Sequence, residues 1–295
     1  MKKKNNSVRR TGYLFLFPAL LFILVCNVIP FIRNLILSFQ KWDGFSPTKF
    51  VGFSNYARAF HDPLVLKSLL NSVIYAAFST AGGVLLGLLL ATLIFRMAGK
   101  EGSFFRLILY SPAMLPTAVV GLMFVFFFNP EMGLLNSFLK LIGVGGLTHI
   151  WLQEKGTATA CIIFVAIWKC TGSVMMLCFA SMQTIPASLY ESGELDGASF
   201  WKQMTCITYP LIRPMILLAA INTLGGQYKS YDLIFTMTQG GPGTLTYTVP
   251  IYMTKTAFNF GKFGNAAATA VIFTVIVALS IVLVRSLLKG EEYEY

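Results

Sequence analysis

Apolar and polar positions follow one another along this chain in long blocks, and the apolar blocks predict helices of membrane-crossing length. Six runs qualify, at residues 13–39, 69–95, 105–128, 157–182, 214–237 and 266–288. Each reaches the roughly 20 residues that a helix needs to cross a hydrocarbon core. No water satisfies backbone groups in that core, so a spanning segment must hydrogen-bond to itself, and helices are the solution. The predicted fold class is an all-α integral membrane protein of about six transmembrane helices. It comprises a tail at 1–12, a spanning domain at 13–288 and a second tail at 289–295.

One connection breaks the pattern. Neighbouring spans are usually joined economically, yet residues 184–210 hold enough polar sequence for two short helices. Thr184 is positioned to cap the first, with Pro186 in its opening turn, where a missing N–H does no harm. Gly193 is tolerated within it, and Gly197 suits its left-handed end. A second helix presents Phe200, Met204 and Ile207 at i, i+4, i+7 on one side; Pro210 halts it and Pro214 opens the fifth span. Two readings of the loop are open: a foot docked on a separate soluble protein, or an amphipathic linker on the membrane surface.

Composition and charge narrow the class. The chain is 56% hydrophobic and 12% charged, with mean hydropathy +0.68, which excludes an ordinary soluble domain. Its net charge of +11 sits at span ends and in short linkers rather than on a basic face interleaved with aromatics, so nucleic acid is not the expected partner. Lys2, Lys3, Lys4, Arg9 and Arg10 place the N-terminus in the cytoplasm. The apolar run behind them is too long for a signal-peptide core and is read as a retained first span. Arg96, Lys100 and Arg106, then Arg285 and Lys289, fall on the same side; the acidic residues Glu291, Glu292 and Glu294 read as a solvated end. Four spans precede the 184–210 loop, so parity also places it in the cytoplasm.

Chemistry is sparse. Five cysteines lie mostly in apolar runs without metal-ligand spacing, and two histidines, His61 and His149, fall in predicted loops. Neither a metal site nor a histidine-based catalytic site is expected, and the spans carry no paired carboxylates for a membrane-embedded enzyme. No Gly-x-x-x-x-Gly-Lys-Ser/Thr stretch occurs, so no cofactor is expected and any ATP is hydrolysed by another polypeptide.

Glu191, Ser192, Gly193, Gly197, Ile207 and Pro210, with Asp196 and Ala198 around the glycine, form a pattern that resembles the cytoplasmic coupling loop of ABC importer permease subunits. Ser192 and Gly193 replace the usual alanines and Tyr209 the usual leucine. Three further stretches resemble the carbohydrate branch, the maltose-type and multiple-sugar permeases. They are Phe50-Val51-Gly52-Phe53 with Asn55-Tyr56, Phe105-Arg106 through Asn129-Pro130 to Asn136, and Tyr231-Asp232 through Gly240-Gly241-Pro242. The resemblance runs from about residue 13 to 288. It implies a type I importer fold whose coupling helix sits on an ATPase subunit dimer. It also implies a second homologous permease, an extracytoplasmic solute-binding protein, a sugar or oligosaccharide substrate and surrounding membrane lipid.

Polar side chains within spans mark candidate solute contacts. Thr223, Gln227 and Ser230 recur at i, i+4, i+7, and their hydroxyls and amide suit a neutral polyol. The resemblance implies that this helix holds the sugar, although the residue identities differ. The fourth span adds Lys169, Thr171 and Ser173. Lys169 has three readings: a solute contact, an ion pair with Asp232 or a partner, or a lysine reaching the interface. Trp168 is read as an interfacial ring or a sugar-stacking one. If the solute is instead glycerol phosphate or another anion, Lys169, Lys229 and Arg33 form a cationic pocket. A standalone channel or secondary carrier is the rival of another class, and it needs buried acidic relays that the spans lack.

Overall fold

The computed structural model describes residues 2–97 and 99–288, with side chains from Tyr13 onward. The side chains of Lys2, Lys3, Lys4, Arg9 and Arg10, together with Lys289, Glu291, Glu292 and Glu294, lie outside what it describes. The first part of the chain forms α1 (Lys2–Ile23), α2 (Ile29–Leu37), strands β1 (Gln40–Lys41) and β2 (Lys49–Phe50), α3 (Ser54–His61) and α4 (Pro63–Phe95). Next come α5 (Gly99–Met114), α6 (Thr117–Phe127), α7 (Leu134–Leu141) and α8 (Thr157–Met182). The last part holds α9 (Ala187–Leu195), α10 (Phe200–Gln203), α11 (Tyr209–Leu211), α12 (Arg213–Tyr228), α13 (Asp232–Thr238), α14 (Val249–Thr254) and α15 (Phe263–Leu288).

Four helical stretches are long and apolar enough to cross a membrane unbroken: Tyr13–Leu37, α4, α8 and α15. Two more are bent pairs, α5 with α6 at 97° and Phe200–Leu211 with α12 at 70°. The expected third span is therefore not one rod. Pro116 lacks an N–H and pushes Leu115 out of helical geometry, so the chain turns there. The expected fifth span also ends early, at Tyr228, and a separate helix starts at Asp232, whose carboxylate complements the positive end of α13.

Pro210 does not halt its helix. A π turn at Met204–Thr208 precedes it, and the Tyr209 N–H reaches back to the Met204 carbonyl. The wider turn makes room for the proline ring, so the helix continues to Leu211 and the chain turns at Ile212. The same device at Leu24–Val28 carries the first span through Pro30. Thr184 does not cap α9: its hydroxyl donates back to the Ser181 carbonyl at 2.8 Å, and Pro186 occupies the cap position instead.

The chain divides into two compact units, Met1–Val65 with Tyr252–Phe273 and Leu66–Ile251 with Thr274–Tyr295. In the first, the buried Asn55 amide donates to the carbonyls of Ser38 and Gln40, each at 2.9 Å, and fixes the β1–β2 hairpin. The opening of α15 lies against that hairpin, where the Phe263 N–H donates to the Trp42 carbonyl at 3.1 Å. Gly264 must lack a side chain there because a Cβ would strike the Gln40 carbonyl.

In the second unit α8 belongs to two apolar clusters. One gathers Tyr75, Val120, Ile162, Val165, Leu233 and Ile251; the other gathers Ile94, Val174, Met175, Cys178, Met182 and Ile212. Lipid is as apolar as leucine, so helices in a bilayer are held by close packing, which small residues permit. Gly82, Gly83 and Gly87 of α4 face Ile167, Cys170 and Val174, and Gly172 of α8 faces the backbone of Leu109 and Tyr110. Gly225 in α12 meets nothing within 4 Å.

Alanine at Gly87 and at Gly225 gains the same helix propensity, roughly 1 kcal/mol. At Gly87 the new methyl would stand 2.7 Å from Val174 Cβ and 3.0 Å from the Met175 nitrogen. Gly87→Ala should therefore lower the thermal midpoint of the purified protein while Gly225→Ala leaves it unchanged or raises it, because overpacking costs about 1–3 kcal/mol.

Candidate functional site

Two interruptions of helix in the second unit, the α5–α6 bend and the α12–α13 break, line one polar cavity of about 330 Å³. Ala113 and Thr117 border it from the α5–α6 bend, and Gly226 to Leu233 border it from the α12–α13 break, apart from Tyr228. Tyr75 of α4 and Ala166, Lys169, Cys170 and Ser173 of α8 complete the wall. Irregular backbone at membrane depth is tolerated where it faces protein or a wet cavity, and broken helices of this kind build transporter sites.

The wall holds two ammonium groups (Lys169 and Lys229), one carboxylate (Asp232), the Gln227 amide and several hydroxyls. Tyr75 organises part of it, its hydroxyl lying 3.0 Å from Gln227 Oε1 and 3.1 Å from Ser230 Oγ. Lys169 and Asp232 share the cavity without an ion pair between them. This arrangement can bind a polar solute by donating and accepting at several points, with charge of both signs.

Of the residues expected to meet solute, Lys169, Ser173, Gln227 and Ser230 converge on the cavity and Thr223 does not. The helix carrying Thr223 ends at Tyr228, so the expected single face of Thr223, Gln227 and Ser230 is broken before Ser230. Thr171 is turned back on its own helix, donating to the Ile167 carbonyl at 2.7 Å. Trp168 does not line the cavity; it is half-buried and packs edge-on against Phe124 at 5.3 Å, beside the first cluster. Tyr75 was missed. Ser68, Ser72, Tyr75 and Ser79 recur at helical spacing, and all four are buried, so this polar stripe in an apolar span was the available signal.

The 184–210 loop folds as a foot. Gly197 takes φ +74°, the Ala198 N–H reaches the Gly193 carbonyl at 2.8 Å, and the Gly197 N–H reaches Glu194 at 3.0 Å. These two bonds form a Schellman end that turns the chain from α9 into the second helix. Gly193 lies where a Cβ would stand 3.2 Å from Ile207 Cδ1, so the two helices approach closely. Tyr190 hydrogen-bonds Thr208 at 3.0 Å, and Gln203 donates to the Ala198 carbonyl at 3.3 Å. Of the expected inward positions, Met204 is buried and Phe200 and Ile207 are half-buried. Pro210 is half-buried beyond the π turn, whereas Glu191, Ser192, Glu194 and Asp196 are exposed around Leu195, itself 91% exposed.

Three contacts gather other segments at this end of the unit. Phe95 meets Tyr190 at 5.8 Å, the Arg96 guanidinium lies 4.5 Å above the Phe200 ring, and Arg213 donates to the Leu288 carbonyl at 2.9 Å. The basic α4–α5 linker, the foot and the end of α15 thus share one face.

Comparison with known proteins agrees with this geometry. Residues 83–290 match the family described as binding-protein-dependent transport system inner membrane component. The chain is 38% identical to the "Probable ABC transporter permease protein YurN" of Bacillus subtilis (strain 168), over 97% of this chain and 99% of that one. It is 34% identical to the sulfoquinovosyl glycerol transport system permease protein SmoG of Agrobacterium fabrum, covering 90% and 85%. Its fold matches a chain in the crystal structure of a bacterial ABC transporter involved in the import of the acidic polysaccharide alginate. The TM-score is 0.84, with 22% identity over 97% of each chain. This protein belongs to the binding-protein-dependent inner membrane permease family and has the type I importer permease fold.

The left-handed turn at Gly197 gives a direct check on the foot. A side chain in that conformation costs about 1–2 kcal/mol, less for asparagine. Gly197→Ala should speed hydrogen exchange of the Gly197 and Ala198 amides by about tenfold, and Gly197→Asn by less.

Proposed function

We propose that this chain lines half of the translocation path of an ATP-driven sugar importer and receives its driving force through α9. In this reading it pairs with a second related permease, two ATPase subunits hold the feet, and an extracytoplasmic binding protein delivers the sugar. ATP hydrolysis takes place on the partner subunits. The observation that carries the reading is that one closely packed helix, α8, lines the polar cavity at Lys169 and Ser173 and ends beside the foot.

Glu191, Ser192 and Asp196 form the docking face, while Gly193, Gly197, Ala198, Ile207 and Pro210 give the foot its shape. Closure of the ATPase pair pushes on α9, and the spans swing between inward-facing and outward-facing states. Grouping the basic linker, the foot and the end of α15 on one face supports a cytoplasmic foot with the end of α15 on the same side, the arrangement that the positive-inside rule favours. Lys169, Ser173, Gln227 and Ser230 contact the solute. The relatives named for sulfoquinovosyl glycerol and for an acidic polysaccharide support a saccharide.

The assembled transporter carrying Glu191→Ala with Gly197→Pro should still accept its loaded binding protein but lose most sugar uptake. Proline cannot adopt φ +74° and would dismantle the end of the foot. Unchanged uptake would refute the lever.

One observation favours a second reading, in which the saccharide carries an acidic group: Lys169 lines the cavity with no ion pair among the described residues. Arg33 lines a hollow with Asn34 and Gln40 in the first unit. Under this reading Lys169→Gln should weaken uptake of an acidic sugar by about tenfold or more while sparing a neutral one, a lost charge-assisted bond amounting to about 1.5–3 kcal/mol. Equal loss for both would return the solute to the neutral class.

A further inference from the structure

A second hollow, of about 460 Å³, lies within the first unit and serves neither the cavity nor the foot. It is bordered by Lys41, Lys49, Arg58 and Lys262, with Asp43 as the sole acid among its lining residues. The Asp43 carboxylate is already committed to its own loop. It accepts from the Phe45 and Ser46 N–H groups at 3.0 and 2.7 Å and from the Ser46 hydroxyl at 2.8 Å, so its oxygens are directed into that loop, and its single negative charge leaves the four cations in excess. Its donors hold it far below the usual carboxylate range, at about 2.

The clustering of charge is unfavourable by itself. Lys41 and Lys49 stand directly opposite each other in the β1–β2 ladder, where paired side chains share a face and like charges repel. Nothing in the sheet requires lysine at both positions. An anion between them turns that repulsion into a binding site.

The position of the hollow specifies the anion. The first span ends at Leu37, just before Lys41, and α15 begins at Phe263, just after Lys262, so the basic groups gather where two spans leave the hydrocarbon. Phe45, Phe50, Phe53, Phe258 and Phe260 of the same unit are 68–97% exposed and offer apolar rings on which acyl chains can lie. A concave basic site with exposed aromatics fits a phosphodiester joined to acyl chains better than a flat acidic protein surface.

We propose that this hollow is a binding site for the headgroup of an anionic phospholipid, with Lys41, Lys49 and Arg58 holding the phosphate. The test uses the complete transporter in nanodiscs of phosphatidylcholine, titrated with phosphatidylglycerol and, separately, with inorganic phosphate. Thermal midpoint and lipid retention in native mass spectrometry are the readouts. Phosphatidylglycerol should stabilise the wild type and be retained, and Lys41→Gln/Lys49→Gln/Arg58→Gln should weaken that binding about tenfold or more, because it removes three cationic partners of the phosphate. The charge-preserving Lys41→Arg/Lys49→Arg variant should keep it. Lys49→Gln alone should raise the midpoint in pure phosphatidylcholine, because it removes the Lys41–Lys49 repulsion, and lower it relative to wild type once phosphatidylglycerol is present. Phosphatidylglycerol binding unaffected by the triple substitution would overturn the assignment. So would inorganic phosphate binding as tightly as the lipid, or a triple variant that loses only docking of the solute-binding protein.

Discussion

The close seating of α8 against its neighbours is the constraint on which the rest of this structure depends. A bilayer offers no hydrophobic drive between helices, so the contact is made by removing side chains: Gly82, Gly83 and Gly87 on α4, and Gly172 on α8 itself. α8 is packed on two sides in this way. From Lys169 at the cavity to Met182 near the foot it covers about 20 Å at 1.5 Å per residue. In the proposed function this closely packed helix is the element through which a displacement of the foot would reach the cavity wall.

The second governing fact is where helix is interrupted. Breaking a helix in lipid strands backbone donors and acceptors, so each break must be placed where something satisfies it. Here the bend at Pro116 and the gap between Tyr228 and Asp232 border the same polar cavity, while π turns carry the chain through Pro30 and Pro210 with helix on either side. Two of the places where helix gives way therefore border the polar cavity, whose wall includes backbone groups as well as side chains.

Much of this was legible in the chain. The first, second, fourth and sixth spans follow from apolar runs alone, since length and hydropathy leave no other solution. The turn at Gly197 follows because only glycine takes a left-handed helix end without strain. The third and fifth runs read as continuous although the helix in each is broken, and the reason is the same: hydropathy averages over a window and ignores local backbone chemistry. Pro116 was in plain view within the third run, and Lys229-Ser230 within the fifth. Pro210 was misread in the opposite direction, because whether a proline ends a helix or is absorbed by a π turn depends on packing that sequence does not state. Thr223 was included by a periodicity that the break at Tyr228 interrupts. Tyr75 was lost in a span whose mean apolarity hid a buried polar stripe.

The central claim is that force enters this chain through α9 from a soluble partner on the cytoplasmic side. Its most direct test is thiol accessibility at Leu195, the most exposed apolar side chain of the foot. In a background with Cys26 and Cys206 replaced, since both are exposed, Leu195→Cys should react with a membrane-impermeant maleimide in inverted vesicles and not in right-side-out ones. Adding the ATPase subunits should protect it. Labelling from the exterior, or labelling from the cytoplasmic side that the ATPase leaves unchanged, would contradict the account.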